Sequence, residues 1–193
     1  MLSPMRRIAA VYLAGPDGFL PDGKDILARK HALCAEAGLV GVTGAEAPLV
    51  ETEPSEAMAR EIYLEALARL RACDAVVANL TPWRGVGCDP GTAFEVGFAA
   101  ALGKPVFAYA NVTSEEEADL RGRVEMLLGA AQDEDGRWRD PEGAEIEDFG
   151  LPENLMLWAE ARRFYVIICE DPLADVTGVQ LCLEALKAYA LEA

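Results

Sequence analysis

The chain has 193 residues, 52% of them hydrophobic, and a mean hydropathy of +0.11. That is enough for one domain with a full core and too apolar for a disordered chain. Its 33 acidic and 17 basic residues give a net charge of -16, which disfavours nucleic-acid polymers and anionic membranes as partners because both need cationic surface.

Arg6-Arg7 lead into Ile8–Leu13, a short apolar run that reads as a buried strand. Ala14-Gly15-Pro16-Asp17-Gly18 breaks it. Lys24 to Ala37 has helical periodicity through Ile26, Leu27, Leu33, Cys34 and Ala37, and Gly38 ends it. Leu39–Val42 reads as a second, short strand, and Glu46 to Ser55 as a polar loop. Glu56 to Ala72 is a long helix with apolar positions at Ile62, Leu67 and Leu70. Ala75–Leu80 is a third strand, followed by a Gly-rich loop from Trp83 to Asp89 and a helix from Gly91 to Leu102. Gly103-Lys104 turns into a strand at Pro105–Tyr109.

Ser114-Glu115-Glu116-Glu117 resembles a helix start, with acids in the first turn. Ala130 to Asp148 is acidic and Gly/Pro-punctuated, a surface loop or small hairpin. A short helix at Leu155–Ala161, a last strand at Phe164–Ile168 and a terminal helix at Val176–Leu191 complete the order. Alternating strands and helices predict one α/β domain over residues 1–193, with a parallel sheet covered on both faces.

The five cysteines have no pair spacing and His31 is the sole histidine. His-based metal sites and Ser-His-Asp catalysis therefore have almost no material. Without a secretory signal the cysteines read as reduced thiols, and a cytoplasmic location is expected. No apolar run approaches membrane-spanning length.

The segment Cys88–Gly97 carries the most information. Glu95 is the sole charge between Pro90 and Gly103. The apolar residues around it follow no single stripe, which predicts a helix buried nearly all round. A carboxylate is rarely buried without a partner or a task. Asp89 sits just ahead, where the chain turns into that helix. In open parallel sheets ligands bind beyond the carboxyl ends of the strands. The loops after Tyr12, from Leu80 to Asp89, and after Tyr109 converge there. Glu95 in that crevice would be a nucleophile if ionised and a general acid if neutral. A merely satisfied buried acid fits the same spacing, and Asp89 fits an ordinary helix cap.

Four motifs now stand in order. They are Val11–Pro16, Cys73–Leu80, Asp89-Pro90-Gly91-Thr92-Ala93-Phe94-Glu95-Val96-Gly97, and Phe149–Leu157 with its Asn154-Leu155-Met156 element. Together they resemble the nucleoside 2-deoxyribosyltransferase family, from about Ile8 to about Val166. The resemblance implies a flavodoxin-like sheet of five parallel strands. It implies transfer of a 2-deoxyribosyl group between nucleobases, with deoxynucleosides and free bases as partners. Glu95 falls on the nucleophile, Asp89 on the acid near the base, and Tyr12 on the tyrosine beside the nucleophile. Gly15, Trp83 and Gly91 fall on the substrate-lining loops. Asn154 falls on the asparagine that meets the sugar 5'-hydroxyl, and Met156 lines the pocket. In the family that last element reaches into a neighbouring subunit's site, which implies a homo-oligomer. At one position the chain departs: Ala66 stands where relatives often carry Asp or Asn. Glu65 is adjacent, but one residue on a helix turns a side chain by about 100°.

The chemistry suits these residues without metal or redox cofactor, and none is expected. A carboxylate close to C1' stabilises an oxocarbenium-like transition state and then bonds to it, and two displacements retain configuration. Two rivals remain at this stage. One is a hydrolase of a deoxynucleoside or its 5'-monophosphate, for which Arg84 lies in a crevice loop, a position that a plain surface charge fits better than a phosphate ligand. The other is a non-catalytic nucleotide-binding module, to which Ala66 points.

Overall fold

The computed structural model describes residues 7–44 and 54–191. The polar loop expected at 46–55 lies almost entirely outside the described residues. Strands β1 (Ala10–Ala14), β2 (Val40–Val42), β3 (Ala75–Asn79), β4 (Val106–Val112) and β7 (Ala161–Ile168) form one parallel sheet. Their order is β2-β1-β3-β4-β7, the flavodoxin-like arrangement. A separate antiparallel hairpin, β5 (Ala131–Gln132) and β6 (Trp138–Arg139), occupies the acidic stretch after α4 (Leu120–Leu128).

Alternation along the strands sorts the core into two layers. Val11, Leu13, Val77, Phe107 and Tyr109 face one side, with Cys34 of α1 (Gly23–Glu36) and Val179, Cys182, Leu183 and Leu186 of α6 (Thr177–Leu191). Tyr12, Ala14, Val76, Ala78 and Ala108 face the other, with Leu70 of α2 (Glu56–Ala72) and Val96 and Ala99 of α3 (Pro90–Ala101). Parallel strands buried on both faces need apolar residues at nearly every position, and β3 and β4 are buried throughout. Among the described residues no helix is long and apolar enough to cross a membrane.

Local signals start the helices. Ser55 Oγ accepts from Met58 N at 3.2 Å to cap α2, and Arg69 and Arg71 sit in its last turn, where the dipole favours cations. Asp89 caps α3, with Pro90 at the first helical position.

Two sequence expectations are corrected. The helix expected from Ser114 starts at Leu120. Glu117 folds back instead, its Oε2 accepting from Thr113 N at 2.8 Å and Thr113 Oγ1 at 2.9 Å. Asp119 then caps α4, accepting from Gly122 N at 2.6 Å. Helix α3 is not buried all round either. Thr92, Val96 and Ala99 face inward at i, i+4 and i+7, whereas Gly91, Gly97 and Ala101 are exposed and Phe94 is 49% exposed. The small and aromatic residues that hid the stripe in the sequence lie on its outer face. Tyr63 of α2 approaches Phe94 at 6.0 Å between ring centroids, and Phe94 stacks on Phe98 at 6.1 Å.

Candidate active site

Strand alternation points Tyr12 toward α3, and the helical spacing from Asp89 brings Glu95 to meet it. Tyr12 Oη donates to Glu95 Oε1 at 2.5 Å. Both line a cavity of about 430 Å³ beyond the carboxyl ends of β1 and β2. Gly15, Gly18 and Phe19 form one wall, from the loop and 3-10 turn (Pro16–Phe19) after β1. Asp89 and Gly91 form another, and Thr43, Gly44, Ile62 and Ala66 close the side nearest β2 and α2.

Burial pushes the Glu95 carboxyl up to about 7, with nearby Asp89 adding to it and the Tyr12 hydrogen bond opposing. Burial, then the neighbouring Glu95 charge, raises Tyr12 well above an ordinary phenol. Tyr12 therefore stays protonated and donates. Near neutrality Glu95 is divided between its two forms, so one group is available both as carboxylate and as acid.

Asp89 keeps the cap role as well as its place in the cavity wall. Its Oδ2 accepts from Thr92 N at 2.8 Å and Thr92 Oγ1 at 3.0 Å. Ala66 lines the cavity, and the neighbouring Glu65 turns away to pair with Arg69 at 2.5 Å. Arg69 also donates to Thr43 O at 3.0 Å. Glu95 is thus held by Tyr12, and Glu65 takes no part.

Of the expected residues, Glu95, Asp89, Tyr12, Gly15 and Gly91 come together. Trp83 does not enter this cavity. It lines an adjoining one of about 390 Å³, with Arg84, Asn111, Glu117 and Asp171, and its ring rests against Phe19 at 6.3 Å. Arg84, at φ 54 and thus in the left-handed region, lays its guanidinium over the Trp83 ring at 5.0 Å. The loop after Tyr109 is likewise displaced: β4 runs on to Val112, so its end opens onto the second cavity. Asn154 and Met156 also lie outside the Glu95 cavity of their own chain. Asn154 caps α5 (Leu155–Glu160), accepting from Met156 N at 3.0 Å and donating from Nδ2 to Glu147 at 3.1 Å. Met156 is 72% exposed.

The sequence reading passed over Thr43 and Gly44. Their signal was the rule already applied to the other loops, since they follow the carboxyl end of β2. A Cβ added at Gly44 would stand 2.5 Å from Tyr12 Oη and 3.6 Å from Glu95 Oε1. Gly44→Ala should therefore push Tyr12 off Glu95. Expected is a fall in kcat of about tenfold or more with a change in stability of about 1 kcal/mol or less. Steady-state kinetics beside thermal unfolding checks this, and normal kcat would remove Gly44 from the site's requirements. Among the described residues no group of three or more His, Cys, Asp or Glu is placed to hold a metal ion.

Fold and cavity define a flavodoxin-like α/β protein with a cavity of small-molecule size at the place where such sheets bind their ligands. The sequence comparison narrows that class. A profile of the nucleoside 2-deoxyribosyltransferase family matches residues 11–156, and the chain belongs to that family. A 2-deoxyribosyltransferase from Leishmania mexicana is 32% identical, with 81% of this chain and 89% of that one covered, at a TM-score of 0.59. A conserved protein from Enterococcus faecalis shares the fold at 19% identity and TM-score 0.54, over 94% and 99% of the two chains. An uncharacterized Schizosaccharomyces pombe protein is 28% identical over 163 residues, 78% of this chain and 75% of that protein. The family implies nucleosides and nucleobases as substrates.

Proposed function

We propose that the protein transfers the 2-deoxyribosyl group of a 2'-deoxynucleoside to a second nucleobase. The observation that carries this reading is the Tyr12–Glu95 pair in a cavity that Asp89 also lines. Ionised Glu95 bonds to C1' as the N-glycosidic bond breaks, and the bonding electron pair leaves with the base. With Glu95 as the carboxylate and Asp89 carrying the one proton of the pair, Asp89 passes that proton to the departing base through the oxygen not engaged by Thr92. The incoming base then gives its nitrogen lone pair to C1', frees Glu95 and returns a proton to Asp89. Two displacements retain configuration. Tyr12 stays protonated throughout and orients the carboxylate. In this reading Gly15, Gly91 and Phe19 contact the substrate, and Trp83 acts from behind Phe19.

The cavity also speaks to the hydrolytic rival. No Lys or Arg is among the described residues that line it. Arg84 is committed to Trp83 and faces the other cavity. Among the described residues this chain's own lining thus offers a 5'-phosphate no cation, which supports nucleosides over nucleotides. Asn154 and Met156 serve a neighbouring copy in this reading, with the exposed Tyr63 and Phe94 rings covered by that copy. Light scattering should then give a mass of two or more chains.

Incubation with thymidine and adenine, followed by chromatography, tests the reaction. Expected products are deoxyadenosine and thymine. Thymine with free deoxyribose would replace transfer by hydrolysis, and unchanged substrates would overturn the enzymatic reading.

A further inference from the structure

A second polar cluster lies outside the Tyr12–Glu95 pair, and the chemistry above does not use it. Lys30 and Asp17 are each 3% exposed, and Lys30 Nζ donates to Asp17 Oδ1 at 2.7 Å. The same ammonium donates to Tyr109 Oη at 2.8 Å. Asn79 Nδ2 donates to Asp17 Oδ1 at 3.3 Å, and Asn79 Oδ1 accepts from Thr81 N at 3.2 Å. Burying two charges costs several kcal/mol per ion, and apolar side chains of similar volume often serve stability as well or better. Stability alone is therefore a weak reason for the pair.

Its connections supply a stronger one. Asp17 belongs to the 3-10 turn whose neighbours Gly15, Gly18 and Phe19 wall the Glu95 cavity. Thr81 opens the segment that carries Trp83 and ends at Asp89. The two loops also meet through the Phe19 and Trp83 rings. Packing around the node is tight: a Cβ at Gly15 would stand 2.8 Å from Asp17 Oδ2 and 2.9 Å from Asn79 Cβ. Side chains held this way give a preformed site, which lowers the ordering cost of binding.

We infer that Lys30, acting through Asp17 and Asn79, is a positioning residue that fixes the Gly15–Phe19 wall against the loop leading to Asp89, so that the substrate's nucleobase meets a preformed slot. The identity of the ligand rests on the deoxyribosyl-transfer reading. The position of the wall does not, and it can be read without turnover.

Replacing Lys30 alone leaves Asp17 buried without its cation and invites unfolding. The double substitution Lys30→Met with Asp17→Asn removes both charges at similar volume. Tyr109→Phe is milder, removing one acceptor and keeping the ring. With thymidine and adenine, KM for the nucleoside should rise about tenfold in the double variant and about threefold in Tyr109→Phe. Changes in kcat should stay within about threefold, and the midpoint of the pH–rate profile should not move, because Tyr12 and Glu95 are untouched.

For the wall itself, Trp138→Phe and Trp158→Phe leave Trp83 as the last indole of three. Acrylamide quenching of Trp83 should rise about twofold in the double variant on that background. Unchanged quenching, or an unchanged KM in a folded and active double variant, overturns the inference. Raised quenching in a protein that shows no turnover even as wild type supports the positioning role and overturns the assigned reaction instead.

Discussion

Glu95→Gln should abolish deoxyribosyl transfer and leave a protein more stable than wild type above neutral pH. The two effects have one origin. A glutamine keeps the shape and still accepts the Tyr12 hydrogen bond, but it cannot bond to C1' or carry the negative charge that faces the developing cation. A loss of about a thousandfold or more is expected, at the upper end for removal of a group that in the proposed reaction both stabilises charge and acts as the nucleophile. The wild-type rate should itself rise with pH through about 7, as the buried carboxyl ionises.

The stability effect follows by linkage. The folded carboxyl titrates near 7, above its ordinary value of 4.5. Its contribution to stability is full below that ordinary value, declines as pH rises, and is lost once pH passes the folded value. The difference amounts to about 3 kcal/mol. Glutamine does not titrate, so at pH 8.5 the variant should melt about 5 °C or more above wild type, and near pH 4 the gap should close. Thermal unfolding across that range, beside exchange assays, checks both claims. Exchange at the wild-type rate in Glu95→Gln would end the assignment of the nucleophile. A gap in melting temperature that ignores pH would place the perturbed carboxyl elsewhere.

Much of this site was legible because it lies on short, strongly patterned segments. The apolar run ending at Leu13 announced β1, and its alternation sends Tyr12 to one layer and Val11 to the other. Asp89, Pro90 and Gly91 marked the start of α3 to within a residue. What the sequence hid was pairing across long separations. Lys30 in the middle of α1 and Asp17 in the turn before it stand 13 residues apart, and only folding buries them together. Arg123 sits in a helix that begins six residues later than its acids suggested. The acids at Ser114–Glu117 were misread because the first-turn pattern is shared by turns whose side chains bond back to the main chain, as Glu117 does to Thr113. The aromatic face of α3 was misread as core because composition cannot tell an exposed apolar face from one packed inside.

Arg123→Met is expected to be strongly destabilising. Arg123 is 2% exposed and holds three segments at once. Its Nε donates to Val86 O at 2.6 Å, Nη1 to Glu117 O at 2.8 Å and Nη2 to Pro152 O at 2.6 Å. Glu153, 4% exposed, lies 3.6 Å from Nη2 and accepts from Cys88 N at 3.1 Å and Asn154 N at 2.9 Å. Methionine fills the space but leaves three carbonyls without their donor and Glu153 without its cation. Breaking one side of a buried pair costs about 3–5 kcal/mol, roughly 10 °C in melting temperature for a chain of this size. Arg123→Lys should fall between, because an ammonium keeps the charge and loses the planar fork.

The cause can be separated from simple loss of packing. Burial already raises the Glu153 carboxyl, and Arg123 is one of the groups that hold it down. Without the arginine it should protonate more readily, so the gap between wild type and Arg123→Met should narrow as pH falls. Adding Glu153→Gln should recover part of the loss at neutral pH by removing the stranded charge. Val86 and Cys88 belong to the loop that ends at Asp89, so the loosened variant should also lose kcat/KM per folded molecule, although Arg123 itself lines neither the Glu95 cavity nor the Trp83 cavity. Urea unfolding at pH 5 and pH 8, beside kinetics on the folded fraction, tests the argument. A loss below about 1 kcal/mol, or a gap that does not change with pH, would show that the loop is held by its own turns and not by the ion pair beneath it.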